Sequence, residues 1–113
     1  MKSIRLMLLV LAIGFSINCN AVTFKEVPSC KVWLKALETS SQINQPTWGG
    51  IIYVSWLYGY LSGVSHVSDK DFLKGIDSDS IRIWMDKYCQ KNPLNDVDDG
   101  GYELAHELLK RMK

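Results

Sequence analysis

Three cysteines, two histidines and twelve carboxylates are the groups in this chain that could do chemistry. Cys89 lies in "RIWMDKYCQKNP", and the nearest other cysteine after the N-terminal leader is Cys30. A nucleophile, a metal ligand and half of a structural bridge are the three roles open to it. His66 and His106 are the only histidines, and neither stands at ligand spacing from a cysteine, so zinc is not indicated. A catalytic thiol would need a basic partner, and none is placed in the sequence to serve it. The carboxylates pair no two groups at a recognisable cleft; Asp71, Asp77 and Asp79 read as solvated or helix-capping groups. No serine-centred nucleophile motif, phosphate-binding glycine loop or zinc-type histidine pattern is present. "DVDDGGYELAHE" does place Asp96, Asp98, Gly101 and Glu107 at positions 1, 3, 6 and 12 of an EF-hand-like loop. Position 5 is Gly100, which offers no side-chain ligand, and position 8 is the charged Glu103. An acidic helix start, favoured by the helix dipole, is the simpler reading. The sequence therefore assigns no catalytic residue, no metal and no cofactor, and the expectation is a protein that is not an enzyme.

Compartment decides among the roles for Cys89. The chain opens "MKSIRLMLLVLAIGFSINCNA": Lys2 and Arg5 form a basic start, Leu6 to Phe15 an apolar stretch, and small or polar residues follow to Ala21. That is the three-part design of a secretory signal peptide. A permanent anchor needs about 20 apolar residues, more than this stretch supplies. Cys19 is preceded by Asn18, not by the small residue that usually precedes a lipidated cysteine, so residues 1–21 are expected to be removed with it. The mature domain is then residues 22–113, with the periplasm as its expected location. The 13 Lys and Arg less Lys2 and Arg5 leave 11 basic against 12 acidic side chains. No clustered basic face points to nucleic acid, and no further segment reads as a membrane span. Two cysteines in a short exported chain read most simply as one disulfide, Cys30 to Cys89. Closing so long a loop contributes about 4 kcal/mol in the chain-entropy account, a large share of the roughly 5–10 kcal/mol a small domain has in all.

The elements that must carry this bridge follow from periodicity. "PSCKVWLKALETS" sets Cys30, Trp33, Leu34 and Leu37 at i, i+3, i+4 and i+7, with Ser29 as an N-cap after Pro28. "SSQINQPT" is a polar turn. "WGGIIYVSWLYGYLSGVSH" is apolar on nearly every side, which marks a central helix. Its β-branched and aromatic content would also suit two strands, but no turn signal divides it. Gly59 and Gly63 share a face there and are expected to admit a neighbouring helix closely. "VSDKDFLKGI" connects to a third helix, capped by Asp77 or Ser78, with Ile81, Trp84, Met85, Tyr88 and Cys89 along its buried stripe. "NP" at 92 and 93 ends that helix and is expected to open a fourth, with Asn92 as cap and Pro93 in the first helical position. Leu94, Val97, Leu104, Ala105 and Leu108 would form its apolar side. Gly100 and Gly101 should interrupt it, leaving regular helix only from about Tyr102. The fold class expected is all-α, a bundle of about four helices stapled by one disulfide.

The aromatic residues divide into core and surface. Trp33, Trp56 and Trp84 read as core from their helical spacing. Trp48, after Pro46 and beside Gly49 and Gly50, reads as an edge residue. Tyr53, Tyr58 and Tyr60 cannot all face one way along one helix, so at least one should approach the surface. Trp48, Tyr53, Trp56, Tyr58 and Tyr60 are therefore the candidates for contact with a partner.

"CKVWL", "WLYGYLSGV" and "CQKNPL" together resemble the HdeA/HdeB group of small periplasmic proteins, as a broader relative, over most of the expected mature chain. The cysteine pair and the Cys-x-x-Asn-Pro step are the more specific parts. The resemblance implies an all-helical, disulfide-bonded fold and a chaperone-like role, holding unfolding proteins during acid or envelope stress. A periplasmic inhibitor or immunity protein against a toxin or cell-wall hydrolase is the alternative. Either role implies a protein partner, and a homodimer is also compatible with the chain.

Overall fold

The computed structural model describes Thr23, residues 26–42 and residues 44–113; the expected signal peptide, Cys19 included, lies outside them. Four helices account for the fold: α1 (Cys30–Gln42), α2 (Trp48–Ser68), α3 (Ser78–Lys91) and α4 (Val97–Arg111). α1 packs on α2 and α3, and α4 packs on the same two, so the four close as a ring. Trp33, Leu57, Leu61, Met85 and Val97 fill the centre with the two cysteines. The architecture is all-α, and no strand forms among the described residues.

Local chemistry sets the helix starts. The Ser29 hydroxyl accepts the Val32 N–H at 3.2 Å and opens α1. Asp77 opens α3, its carboxylate accepting the Ser80 N–H at 2.8 Å and the Ser80 hydroxyl at 2.7 Å. Those bonds, the hydroxyl's first, hold the Asp77 carboxyl below its ordinary range.

Cys30 begins α1 and Cys89 lies in the last turns of α3. They form a disulfide across a Cα–Cα distance of 4.9 Å, and both are fully buried. Beside it a short antiparallel pairing joins Ser29 to Asp96. There the Cys30 N–H donates to Asn95 O and the Val97 N–H to Pro28 O, each at 2.9 Å. The bridge thus ties the entry of α1 to the exit of α3, and the pairing ties it to the entry of α4.

That pairing corrects the expected start of the fourth helix. Asn92 closes α3 instead of opening α4, its N–H and its side-chain amide both donating to Tyr88 O. Pro93 and Leu94 lie in a turn, and Leu94 is almost wholly exposed instead of lining the apolar side. α4 begins at Val97 because Asp96 supplies the cap and Asp99 returns the favour, its carboxylate accepting the Asp96 N–H at 3.0 Å.

The glycines also exchange roles. Gly100 and Gly101 do not interrupt α4; both are buried within it. A Cβ at Gly100 would sit 2.7 Å from Tyr88 Cδ1, and one at Gly101 would sit 2.8 Å from two ring carbons of Tyr60. Their bare backbone is what lets α4 lie close to α3 and α2. Gly59 and Gly63, expected at a helix contact, face open space, with nothing within 4 Å of an added Cβ.

Candidate protein-binding surface

α2 contains no Asp, Glu, Lys or Arg in its 21 residues, although one side of it meets solvent. Leu57 and Leu61 bury its inner face. Trp48, Ile51, Ile52, Ser55, Gly59, Ser62, Gly63 and His66 fall on the outer face at helical spacing. The N-terminal end of that stripe is strongly apolar: Trp48 is 81 % exposed, Ile52 59 % and Ile51 44 %. Clustered apolar side chains at a surface mark interaction sites far more often than scattered ones do.

A polar knot fixes this end. The Ser40 hydroxyl donates to Ala36 O at 3.0 Å and accepts the Thr47 N–H at 3.0 Å. The Thr47 hydroxyl oxygen in turn accepts the Gly50 N–H at 3.1 Å, capping α2. Gly50 fits tightly there, since a Cβ would stand 3.0 Å from Ser40 Oγ and push on the knot. Next to the knot a groove of about 510 Å³ opens between α1, the 44–46 connection and α2. Leu37, Pro46, Ile51 and Val54 give it an apolar wall, and Arg82 of α3 stands at its edge. Arg82 is held by Asp86 at 3.3 Å, and Asp86 also accepts the Trp33 Nε1–H at 2.7 Å. These bonds tie the backbone at the start of α2 to α1, and the edge of the groove to the core.

The five aromatic residues singled out in the sequence do not form one face. Trp48 projects outward as expected of an edge residue. Tyr53, Trp56, Tyr58 and Tyr60 are half-buried and pack against the core. Trp56 and Tyr60 stack at 5.5 Å between ring centroids. Tyr58 donates its hydroxyl to Ser78 O at 2.9 Å, tying α2 to the start of α3. Tyr60 lies in the seam with α4, where burial first and the Asp98 carboxylate next push its phenol above the ordinary value. Trp33 is fully buried, whereas Trp56 and Trp84 are only partly so. The residues missed were Ile51 and Ile52; their spacing from Trp48, three and four positions on, was the available signal.

The EF-hand-like segment takes a different form. Asp96 is a cap and residues 97–107 are continuous helix, so no calcium-type loop exists there. The carboxylates of Asp96, Asp98 and Asp99 cluster within 4.8 Å. Glu107 is turned away, accepting from Trp84 Nε1 at 3.2 Å and pairing with Arg111. Partial burial first and Asp99 next raise the Asp98 carboxyl above its usual range.

Among the described residues no helix is long and apolar enough to cross a membrane. No family model, curated protein or solved structure matches this chain.

Proposed function

We propose that this chain is a small exported, non-enzymatic protein-binding domain that holds unfolding proteins in the periplasm under acid or envelope stress. The observation that carries this reading is the N-terminal end of the outer stripe of α2, where Trp48, Ile51 and Ile52 protrude and no charged side chain stands. A partner's apolar segment loses water against such a face without stranding any charge. Charge supports the acid half of the proposal. Below about pH 3 the carboxylates are largely protonated, and the domain after residue 21 then carries about +14 from its bases, histidines and amino terminus. Self-repulsion on that scale loosens a small domain and exposes more of α2, while the Cys30–Cys89 bridge limits the opening.

An inhibitor or immunity protein is the second reading, favoured by the groove of Leu37, Pro46, Ile51 and Val54, which is preformed and suits one rigid partner. Aggregation of several unrelated client proteins, followed by light scattering at about pH 2–3 and at pH 7, separates the two. A holdase suppresses aggregation of many clients in acid. Suppression at neither pH removes that reading and leaves the single-partner one.

A further inference from the structure

At the far end of α2 the surface changes character. Lys70, His106, Lys110 and Lys113 line a hollow together with Leu109 and Met112. Met112 is 52 % exposed, and Val67, beside the hollow's Ser68, is 86 % exposed. None of the three ammonium groups has a carboxylate partner among the described residues; the ion pairs there join Arg82 to Asp79 and Asp86, and Arg111 to Glu107. Three unpaired ammonium groups outnumber the exposed carboxylates flanking Lys70, those of Asp69 and Asp71. With the exposed Met112 and Val67 nearby they match a surface that is anionic outside and hydrocarbon beneath. The charge of α4 is also polarised along its length, with Asp96, Asp98, Asp99 and Glu103 in its first turns and Lys110 and Arg111 in its last.

We propose that this end of the molecule, formed by the last turn of α4 and the corner at residues 67–70, docks on an anionic lipid bilayer. The lysines meet lipid phosphates while Val67 and Met112 enter the headgroup layer, and the acidic start of α4 points away. Val67 is about 28 Å from Trp48 along α2, at 1.5 Å per residue. The apolar end of the protein-binding stripe, at Trp48, Ile51 and Ile52, therefore lies far from the docked end, and the two surfaces can be tested separately.

The test is co-sedimentation of the processed protein, recovered from expressing cells, with phosphatidylcholine vesicles that contain or lack phosphatidylglycerol. Binding is expected to the anionic vesicles alone, weakening as added salt shortens the screening length. Replacing Lys70, Lys110 and Lys113 by Gln should weaken it about a hundredfold, at about fivefold per lysine. Val67→Ser with Met112→Ser, which leaves net charge unchanged, should weaken it severalfold; all five positions are exposed, so circular dichroism should report an intact fold. Inorganic phosphate should compete no better than chloride of equal ionic strength. Equal binding to neutral vesicles, no binding to anionic ones, or retention by the lysine variant overturns the proposal. So does retention by the Val67 and Met112 variant, which would give the lysines to an acidic protein. Specific competition by phosphate overturns it too, in favour of a free anion.

Discussion

Gly101→Ala tests how α4 is seated on α2. In a helix interior, alanine is better than glycine by about 1 kcal/mol, so the change would stabilise an exposed helix. Here the new methyl would stand 2.8 Å from Tyr60 Cδ1 and Cε1, against a comfortable carbon–carbon separation of about 3.5–4.0 Å. The ring cannot swing aside freely, since it stacks on Trp56 at 5.5 Å. Overpacking of this kind costs about 1–3 kcal/mol. Gly63→Ala is the internal reference: it has the same propensity gain and meets nothing within 4 Å. Urea denaturation of both variants should show Gly63→Ala more stable than the parent, with Gly101→Ala below it by about 1–3 kcal/mol. In a Tyr60→Ala background the clash partner is gone, and Gly101→Ala should regain most of that gap. Equal stabilisation by both alanines in the parent background would refute the close seam between α2 and α4.

Three further outcomes follow from the same geometry. Thiol titration of the unfolded, unreduced protein lacking residues 1–21 should find no free cysteine, and Cys30→Ser with Cys89→Ser should cost about 2–5 kcal/mol; two titratable thiols would contradict the bridge. Asp77→Asn should lower Tm at pH 7, because the Asp77 carboxyl is depressed mainly by the Ser80 hydroxyl. Its stabilising effect is present above the unfolded carboxylate range and disappears as pH falls through the lower folded value, so parent and variant should converge in strong acid. Trp33→Phe removes the 2.7 Å hydrogen bond to Asp86 and should cost about 1–3 kcal/mol in chemical denaturation, with the fold retained.

The amphipathic helices were legible in the sequence, and the helix with no polar face was not. Cys30 and Trp33, and Ile81, Met85 and Cys89, repeat at helical spacing beside charged neighbours, so their buried faces are marked. Ser29 and Asp77 likewise announce helix starts by their own side-chain chemistry. α2 has no charge to show which side meets water; only its Ser and Gly residues do, and small residues also suit a tight contact. For that reason Gly59 and Gly63 read as a packing face, and four of five candidate aromatics read as more available than they are. At α4 two caps compete in sequence, Asn92 before Pro93 and Asp96 before Val97. The choice falls to the pairing of Pro28 and Cys30 with Val97 and Asn95, a contact between distant segments that no local pattern encodes. The same holds for Gly100 and Gly101, whose propensity cost is outweighed by close approach to Tyr88 and Tyr60.

The central claim is that the outward stripe of α2 meets other proteins, and photo-crosslinking tests it directly. A photoactivatable phenylalanine analogue at position 52, beside Trp48 on the stripe, is compared with the same analogue at position 87, an exposed site on α3. Cells are illuminated at neutral pH and after an acid shift, and the crosslinked species are resolved by mass spectrometry. Position 52 should capture other proteins, more of them after acid, while position 87 captures few at either pH. Equal capture from both positions, or none from position 52, would contradict the claim.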